Sequence, residues 1–312
     1  MMIKKKLNNN KVTPVVVEPK KRGRKPLSEK KPIIEKVEPK KRGRKPLDKT
    51  KPVNKKIVKE VKSEPKILTS VVKTLKKNKW SDLKIVDTSK FINVNFYINR
   101  YFPEETEKTQ IVLHHTISGP GARGTIETFV NDPTTTAAHI IIDRNGDIYQ
   151  LIDSKYWAQH LGIQGQIFYK LGFNDSAIRN RILNQHSISV ELDNWGGLTK
   201  INTNKYMTAF GNIATIDDDK VLIYPNKFKD WECYESYSIE QLKSLGELLL
   251  YWNSIYNIPL TYKGYSMFDV NMKALSGEPG IWSHDSYRDD KSDCHPDPNL
   301  ISLLKTIDSL KQ

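Results

Sequence analysis

The sequence predicts a folded domain of the α+β class, with a central mixed β-sheet flanked by helices and a disordered basic arm before it. Three observations support this prediction. Charge and aromatic residues divide the chain near residue 79, several apolar runs have the length of strands, and two amphipathic helices follow near the carboxyl end. The strands and helices do not follow a regular βαβ period, so we expect a mixed sheet with helices packed on it.

The arm differs in composition from the rest of the chain. Residues 1–79 contain 28 Lys and Arg and 7 Asp and Glu, whereas residues 80–312 contain 22 and 29, so the overall charge of +14 comes from the arm. No aromatic residue precedes Trp80. A segment of this kind cannot bury enough apolar surface to offset the entropy lost on ordering. We therefore predict that residues 1–79 are disordered and that residues 80–312 are folded.

The arm contains an internal repeat. VEPKKRGRKPL occurs at residues 17–27 and again, identically, at 37–47. Its core resembles the AT-hook, in which arginines on either side of a glycine enter the narrow minor groove of A·T-rich DNA. The corresponding residues here are Arg22, Arg24, Arg42 and Arg44. A lysine separates the second arginine from the proline in each copy, which departs from the motif.

A second interpretation of the arm is a general polycation. Runs of Lys and Arg bind any polyanion through counterion release, including DNA, RNA, wall polymers and anionic lipid. The sequence leaves nucleic acid and other polyanions as alternative partners. The spaced prolines favour an extended arm over a helix in either case.

The sequence contains no pattern typical of secretion or membrane insertion. The first residues are basic but no apolar run follows them, and no stretch approaches the roughly 18 apolar residues of a membrane-spanning helix. Two cysteines, Cys233 and Cys294, do not form a disulfide framework. We expect synthesis in a reducing compartment without a signal peptide.

Local patterns predict the main elements of residues 80–312. Gln110–His115 is predicted to be a buried strand, and Ser187–Leu192 is predicted to be a second strand. Residues 137–152 predict a hairpin around Asn145-Gly146. Residues 125–131 favour a short helix, and residues 214–224 a hairpin or an insertion.

Two helices are predicted after residue 237. Ser238 begins the first with a capping box in which Gln241 is the partner. Its inward face is predicted to carry Ile239, Leu242, Leu245, Leu249, Trp252 and Ile255. The second follows Pro298, with an inward face of Leu300, Leu303, Leu304, Ile307 and Leu310.

Two separated clusters of polar residues indicate a metal site. His114 and His115 end the first buried strand, and a later segment places His284, Lys291, Asp293 and Cys294 within eleven residues. A catalytic zinc site commonly has three protein ligands and an open fourth position. The clusters are about 170 residues apart, so only folding can bring them together.

Five stretches, in order, resemble the zinc-dependent N-acetylmuramoyl-L-alanine amidases, the family of phage endolysins and peptidoglycan recognition proteins. They are IVLHHT at 111–116, AAHIIIDRNGDIYQLI at 137–152, WAQHLG at 157–162, HSISVEL at 186–192 and HDSYRDDKSD at 284–293. The resemblance implies an amidase fold and Zn²⁺ as cofactor. It also implies hydrolysis of the bond between N-acetylmuramic acid and L-alanine in peptidoglycan.

The resemblance also implies roles for individual residues. His114 and His284 match two zinc ligands, and Asp293 matches the third because it follows Lys291 at the family's Lys-x-Asp spacing; the adjacent thiol of Cys294 is the alternative ligand. Glu191 matches a glutamate that activates water, and Lys291 a lysine that stabilises the oxyanion. Some relatives use a tyrosine where this chain has Ala138. Trp157 and His160 match the wall of the substrate groove.

The resemblance favours a phage or prophage enzyme that is synthesised in the host cytoplasm and acts at the bacterial cell wall. Two other functions remain open. One is a peptidoglycan-binding module without catalysis, and the other is a DNA- or virion-associated protein whose arm carries the main function.

Overall fold

The computed structural model describes residues 79–94 and 100–310. Within these ranges the strands are β1 Ile92–Asn93, β2 Gln110–His115, β3 Ile140–Ile142, β4 Ile148–Gln150, β5 Ser187–Leu192, β6 Gly197–Asn202, β7 Lys205–Thr208, β8 Ile213–Thr215, β9 Val221–Phe228, β10 Trp231–Glu235 and β11 Gly280–Ser283. The helices are α1 Ala122–Asn131, α2 Gly165–Lys170, α3 Ser176–Gln185, α4 Ile239–Tyr256, α5 Met272–Leu275 and α6 Pro298–Ser309.

The central sheet has six strands in the order β1-β4-β3-β5-β2-β11. Only β3 and β4 pair antiparallel, and the other neighbours are parallel. Helices supply the surrounding layers, so the predicted mixed α/β architecture is confirmed. All six residues of β2 are buried, as expected for an inner strand of a sheet covered on both faces.

The two predicted strands, β2 and β5, and the predicted hairpin are confirmed. β3 and β4 flank the Asn145-Gly146 turn, where Gly146 has φ +90°. The first helix begins at Ala122, three residues before the prediction. Its early start has a local cause, since the backbone N–H groups of Gly121 and Ala122 donate to the carboxylates of Asp193 and Asp143.

Helix α4 begins at the predicted cap. The Ser238 hydroxyl accepts from the Gln241 backbone N–H at 3.0 Å. The reciprocal half of the capping box does not form, because the Gln241 side chain donates to the carbonyls of Ile142 and Asp193. These bonds join the helix to the central sheet. Ile255, predicted to face inward, is instead 48% exposed in the last turn.

Helix α6 follows Pro298, as predicted. The Asp297 carboxylate caps it by accepting from the backbone N–H groups of Asn299 and Leu300. Four of the five predicted inward residues are buried. Leu310 is 57% exposed because it lies beyond the last helical residue, so that part of the prediction is wrong.

A second, antiparallel sheet is inserted between β5 and α4, with the strand order β8-β7-β6-β10-β9. The prediction of a hairpin at residues 214–224 is wrong, since β8 and β9 lie at opposite edges of this sheet. The intervening Asp218 accepts from the backbone of Asn204, from the Tyr206 hydroxyl and from Lys200. These bonds fix the segment between β8 and β9 so that it crosses the sheet, and β9 therefore does not pair with β8 in a hairpin. The alternative prediction, an insertion, describes this region.

The basic arm and its four arginines, Arg22, Arg24, Arg42 and Arg44, lie outside the described residues. Trp80, the first aromatic residue, is 1% exposed and belongs to the main core. In the described part of the chain, no helix combines the length and the apolar character needed to cross a membrane.

Candidate metal centre

The ends of three neighbouring parallel strands bring the predicted site residues together. β2 lies between β5 and β11, and His114 pairs in register with Glu191. His284 follows directly after the last residue of β11. Ligands bind preferentially beyond the carboxyl ends of parallel strands. The sheet order therefore explains how residues 170 positions apart reach one site.

His114, His284 and Asp293 form a compact triangle of ligand atoms. The Nδ1 atoms of the two histidines are 3.1 Å apart, and Asp293 Oδ2 lies 3.3 Å from His114 Nδ1 and 2.9 Å from His284 Nδ1. All three side chains are buried. Together the three residues form a cluster that could hold a metal ion.

The triangle fits a zinc ion. Zinc–nitrogen distances of about 2.0–2.1 Å in a tetrahedral site imply about 3.3 Å between ligand atoms. The three separations, 2.9, 3.1 and 3.3 Å, lie at or slightly below that value. Two imidazole nitrogens and one carboxylate oxygen also match the chemistry of catalytic zinc, with a fourth position left for water. These residues could hold the metal.

The second nitrogen of each histidine ligand has its own partner. His284 Nε2 donates to the Leu161 carbonyl at 2.9 Å, and His114 Nε2 lies 3.1 Å from His160 Nδ1. A carbonyl can only accept, so the proton of neutral His284 is on Nε2 and its Nδ1 presents a lone pair to the triangle. This arrangement orients a metal ligand.

The electrostatics of the triangle favour a cation. Burial lowers the pKa of His114, which keeps that imidazole neutral. Burial alone would raise the pKa of Asp293, but the neighbouring His284 and His114 hold it well below its usual range. Asp293 is therefore a buried carboxylate beside two imidazole rings. A positive ion at their centre would balance its buried charge.

Cys294, the alternative ligand, points away from the triangle. Its buried thiol donates to the backbone carbonyl of His114 at 3.1 Å. Burial raises the pKa of this thiol well above its ordinary value, which favours the protonated form. The geometry favours Asp293 over Cys294 as the third ligand.

Glu191 lies beside the triangle with an unpaired oxygen. Its carboxyl group is partly buried, and Oε2 has no hydrogen-bond partner among the residues that the structure describes. Burial raises the pKa of Glu191 to about 7. A carboxylate with this pKa and a free lone pair can accept a proton near neutral pH. Lys291 is half-buried and close enough to lower that pKa electrostatically.

The two predicted groove residues occupy different environments. Trp157 is 2% exposed, its ring stacks on Phe102 at 3.8 Å, and its Nε1 donates to Glu104. This burial leaves little of its surface for a substrate. His160 is half-buried and contacts His114 directly, so it lies at the metal centre.

Sequence reasoning missed His295, which anchors the loop that carries Asp293. Its ring is stacked between Tyr234 and Tyr237, at centroid distances of 4.6 and 4.7 Å. Its Nε2 donates to the Glu235 carbonyl. A histidine directly after Asp293-Cys294 was the available signal, but its aromatic partners come from the inserted segment, which is distant in the sequence.

His115 lies on the other side of β2 from His114, and its ring contacts the Tyr237 hydroxyl at 3.1 Å.

A mixed sheet with a His-His-Asp cluster at its carboxyl edge is an arrangement suited to a hydrolase with a single metal ion. The chain belongs to the N-acetylmuramoyl-L-alanine amidase family, whose model matches residues 105–299. This match confirms the family resemblance of the five motifs and supports an amidase that acts on peptidoglycan. No curated protein sequence matches the chain significantly.

Several solved structures are similar to the chain at low sequence identity. The structure of PlyL is 13% identical and covers 70% of this chain and 96% of its own, with a TM-score of 0.36. The endolysin amidase LysCS from Clostridium intestinale is 15% identical, covering 71% and 95%, with a TM-score of 0.36. AmpD is 14% identical, covering 74% and 97%, with a TM-score of 0.35.

Proposed function

We propose that this protein is a zinc-dependent N-acetylmuramoyl-L-alanine amidase that cleaves peptidoglycan between the lactyl group of N-acetylmuramic acid and L-alanine. The observation that carries the proposal is the convergence of His114, His284 and Asp293 at the carboxyl edge of the sheet. Residues 80–312 form the catalytic domain, and residues 1–79 form a separate basic arm. Family membership supports the substrate, and the triangle supports the metal.

His114, His284 and Asp293 would hold the zinc ion. Bound zinc supplies a Lewis acid and lowers the pKa of a coordinated water to about 7. The chain's own contribution is to hold three ligand atoms within 3.3 Å of each other before the metal arrives. Such preorganisation reduces the cost of ordering the site.

Glu191 and Lys291 have complementary roles in the proposed reaction. Glu191 accepts the proton of the attacking water through its unpaired oxygen, and it returns that proton to the leaving amine. Lys291 places its ammonium beside the carbonyl oxygen as negative charge develops there. The acyl C–N bond breaks, which gives a free lactyl carboxylate and a new amino terminus on L-alanine.

Digestion of purified cell walls tests this activity. Full-length protein with bound zinc is expected to release muropeptides with new L-alanine amino termini, and His284→Ala is expected to release none. Intact walls after treatment with wild-type protein would contradict the enzyme. Retained wall binding without cleavage would identify the alternative, a peptidoglycan-binding module.

A second proposal concerns the arm, and the perfect repeat of VEPKKRGRKPL favours it. The paired arginines, Arg22 with Arg24 and Arg42 with Arg44, bind the A·T-rich minor groove of DNA. Changing all four to glutamine is expected to abolish preference for A·T-rich duplex while wall cleavage continues. Equal affinity for A·T-rich DNA, G·C-rich DNA and heparin in the wild type would identify a general polycation.

An arm of this kind and a wall-cleaving domain together fit a phage or prophage protein that is made in the host cytoplasm. It acts at the cell wall during lysis or from the virion. Deletion of residues 1–79 separates these functions, because wall cleavage is expected to survive while polyanion binding is lost.

A further inference from the structure

The segment His160-Leu161 contacts both histidines of the metal triangle from the side away from the metal. The His160 side chain lies against His114 Nε2, and the Leu161 carbonyl accepts from His284 Nε2. Asn184 holds the backbone of this segment, since its Oδ1 accepts from both N–H groups, at 2.8 and 3.1 Å. Two consecutive residues, His160 and Leu161, thus each form a hydrogen bond with one of the two histidine ligands.

A chain of hydrogen bonds runs from His114 to the end of helix α3. His160 Nε2 lies 2.7 Å from Ser187 Oγ, and Ser187 Oγ donates to the Leu183 carbonyl at 2.7 Å. Ser187 is fully buried, and its single hydroxyl proton is committed to that carbonyl. Its oxygen must therefore accept, and His160 Nε2 must be the donor.

The direction of this chain fixes the proton on His114. A neutral imidazole carries one N–H, so His160 Nδ1 is an acceptor when Nε2 donates. His114 Nε2–H then donates to it across 3.1 Å. The remaining nitrogen, His114 Nδ1, presents its lone pair to His284 and Asp293. Reversal of any bond in the chain would place a proton in the centre of the triangle.

We propose that His160 and Ser187 are positioning residues, which hold His114 in the tautomer that presents the Nδ1 lone pair to the metal site. This role differs from the substrate contact that the family resemblance implies for His160. The inference rests on the proposed function, since it concerns the same metal centre. Residues that orient a metal ligand in this way typically contribute about 10- to 100-fold to metal affinity.

The hydrogen-bonded chain Leu183–Ser187–His160–His114 is called the relay below. Zinc affinity of full-length variants, measured by competition with a chelating dye, tests it. His160→Leu removes the acceptor and is expected to bind zinc about 10- to 100-fold more weakly than the wild type. His160→Asn keeps an acceptor near the position of Nδ1 and is expected to restore most of the affinity. Ser187→Ala is expected to weaken binding, and adding it to His160→Leu is expected to cause no further loss.

His139→Gln provides a matched control. His139 is another buried histidine, 6.4 Å from the His160 ring, but its nitrogens bond to Ser189 and to the Tyr156 carbonyl. Its replacement is expected to leave zinc affinity unchanged. Equal losses in His139→Gln and His160→Leu would show a general packing effect and overturn the relay.

The tautomer itself is measurable in the zinc-free wild type by long-range ¹H–¹⁵N correlation of the imidazole rings. The relay predicts Nε2–H on His114 and Nε2–H on His160. A proton on His114 Nδ1, or unchanged zinc affinity in His160→Leu, would overturn it. A wild type that shows these tautomers but binds no zinc would refute the proposed function and leave the relay standing.

Discussion

His295 Nδ1 lies 2.9 Å from the hydroxyl of Tyr224, which joins the ligand-bearing loop to the inserted sheet. The other His295 nitrogen donates to the Glu235 carbonyl, so Nδ1 accepts from Tyr224. Asp293 is two residues away in the sequence. The inserted sheet is therefore part of the support of the metal centre.

This support can be tested by Tyr224→Phe, which leaves His295 Nδ1 without a donor in a buried site. Loss of one partner of a buried hydrogen bond costs about 1–3 kcal/mol. We expect that loss in the free energy of unfolding, together with weaker zinc binding because Asp293 is less well positioned. Denaturant unfolding and dye competition measure the two effects.

Tyr206→Phe is the matched control for Tyr224→Phe. Tyr206 is in the same inserted sheet, and its hydroxyl bonds to Asp218 at 2.6 Å. Its replacement should lower stability without changing zinc affinity. A loss of zinc affinity in Tyr206→Phe as large as that in Tyr224→Phe would contradict a specific connection through His295.

Glu191→Gln is expected to abolish most wall cleavage while zinc stays bound. Removal of a positioned general base typically costs about 10²- to 10⁴-fold in rate. Equal zinc content in the two proteins, measured by elemental analysis, would show that the lost step is proton transfer. Retention of more than about a tenth of the wild-type rate would rule out Glu191 as the base.

The raised pKa of Glu191 also predicts how the stability of the metal-free protein depends on pH. The folded state holds this proton up to about pH 7, whereas an ordinary glutamate loses it near 4.5. The associated stability is complete below about pH 4.5 and is lost as the pH rises to 7. The unfolding free energy of metal-free Glu191→Gln should therefore exceed that of the metal-free wild type by about 1–3 kcal/mol at pH 8. The two values should match near pH 4.5. A difference in unfolding free energy that is the same at both pH values would contradict the assignment.

Lys291→Met should lower the rate of cleavage without loss of zinc. Loss of one group that stabilises an oxyanion costs about 10²- to 10³-fold. Lys273→Met is a suitable control, because Lys273 is an exposed lysine paired with Glu278. Equal rates for Lys291→Met and Lys273→Met in a wall-clearing assay would remove Lys291 from the mechanism.

Local patterns were sufficient to predict the elements that present the ligands. The apolar run before His114 predicted β2, and Asn145-Gly146 predicted the hairpin, because turn chemistry and burial are encoded within a few residues. The cap of α4 and the start of α6 at Pro298 were predictable for the same reason. Family resemblance, and not periodicity, selected His114, His284 and Asp293 from seven histidines and many carboxylates.

Longer-range features could not be predicted from local patterns. The inserted sheet pairs β6 with β10, more than thirty residues later, and such pairing has no local signature. The roles of Ser187 and His295 depend on partners from distant elements. Ile255 and Leu310 fit the helical periodicity, but each lies at the end of a helix, where the core no longer covers it.

Zinc K-edge X-ray absorption of the full-length protein tests the central claim most directly. With His114, His284 and Asp293 as ligands, we predict one zinc per chain with only nitrogen and oxygen neighbours at about 2.0–2.2 Å. A sulfur neighbour at about 2.3 Å would show that Cys294 binds the metal. Absence of zinc from the purified protein would contradict the claim that these residues form a zinc site.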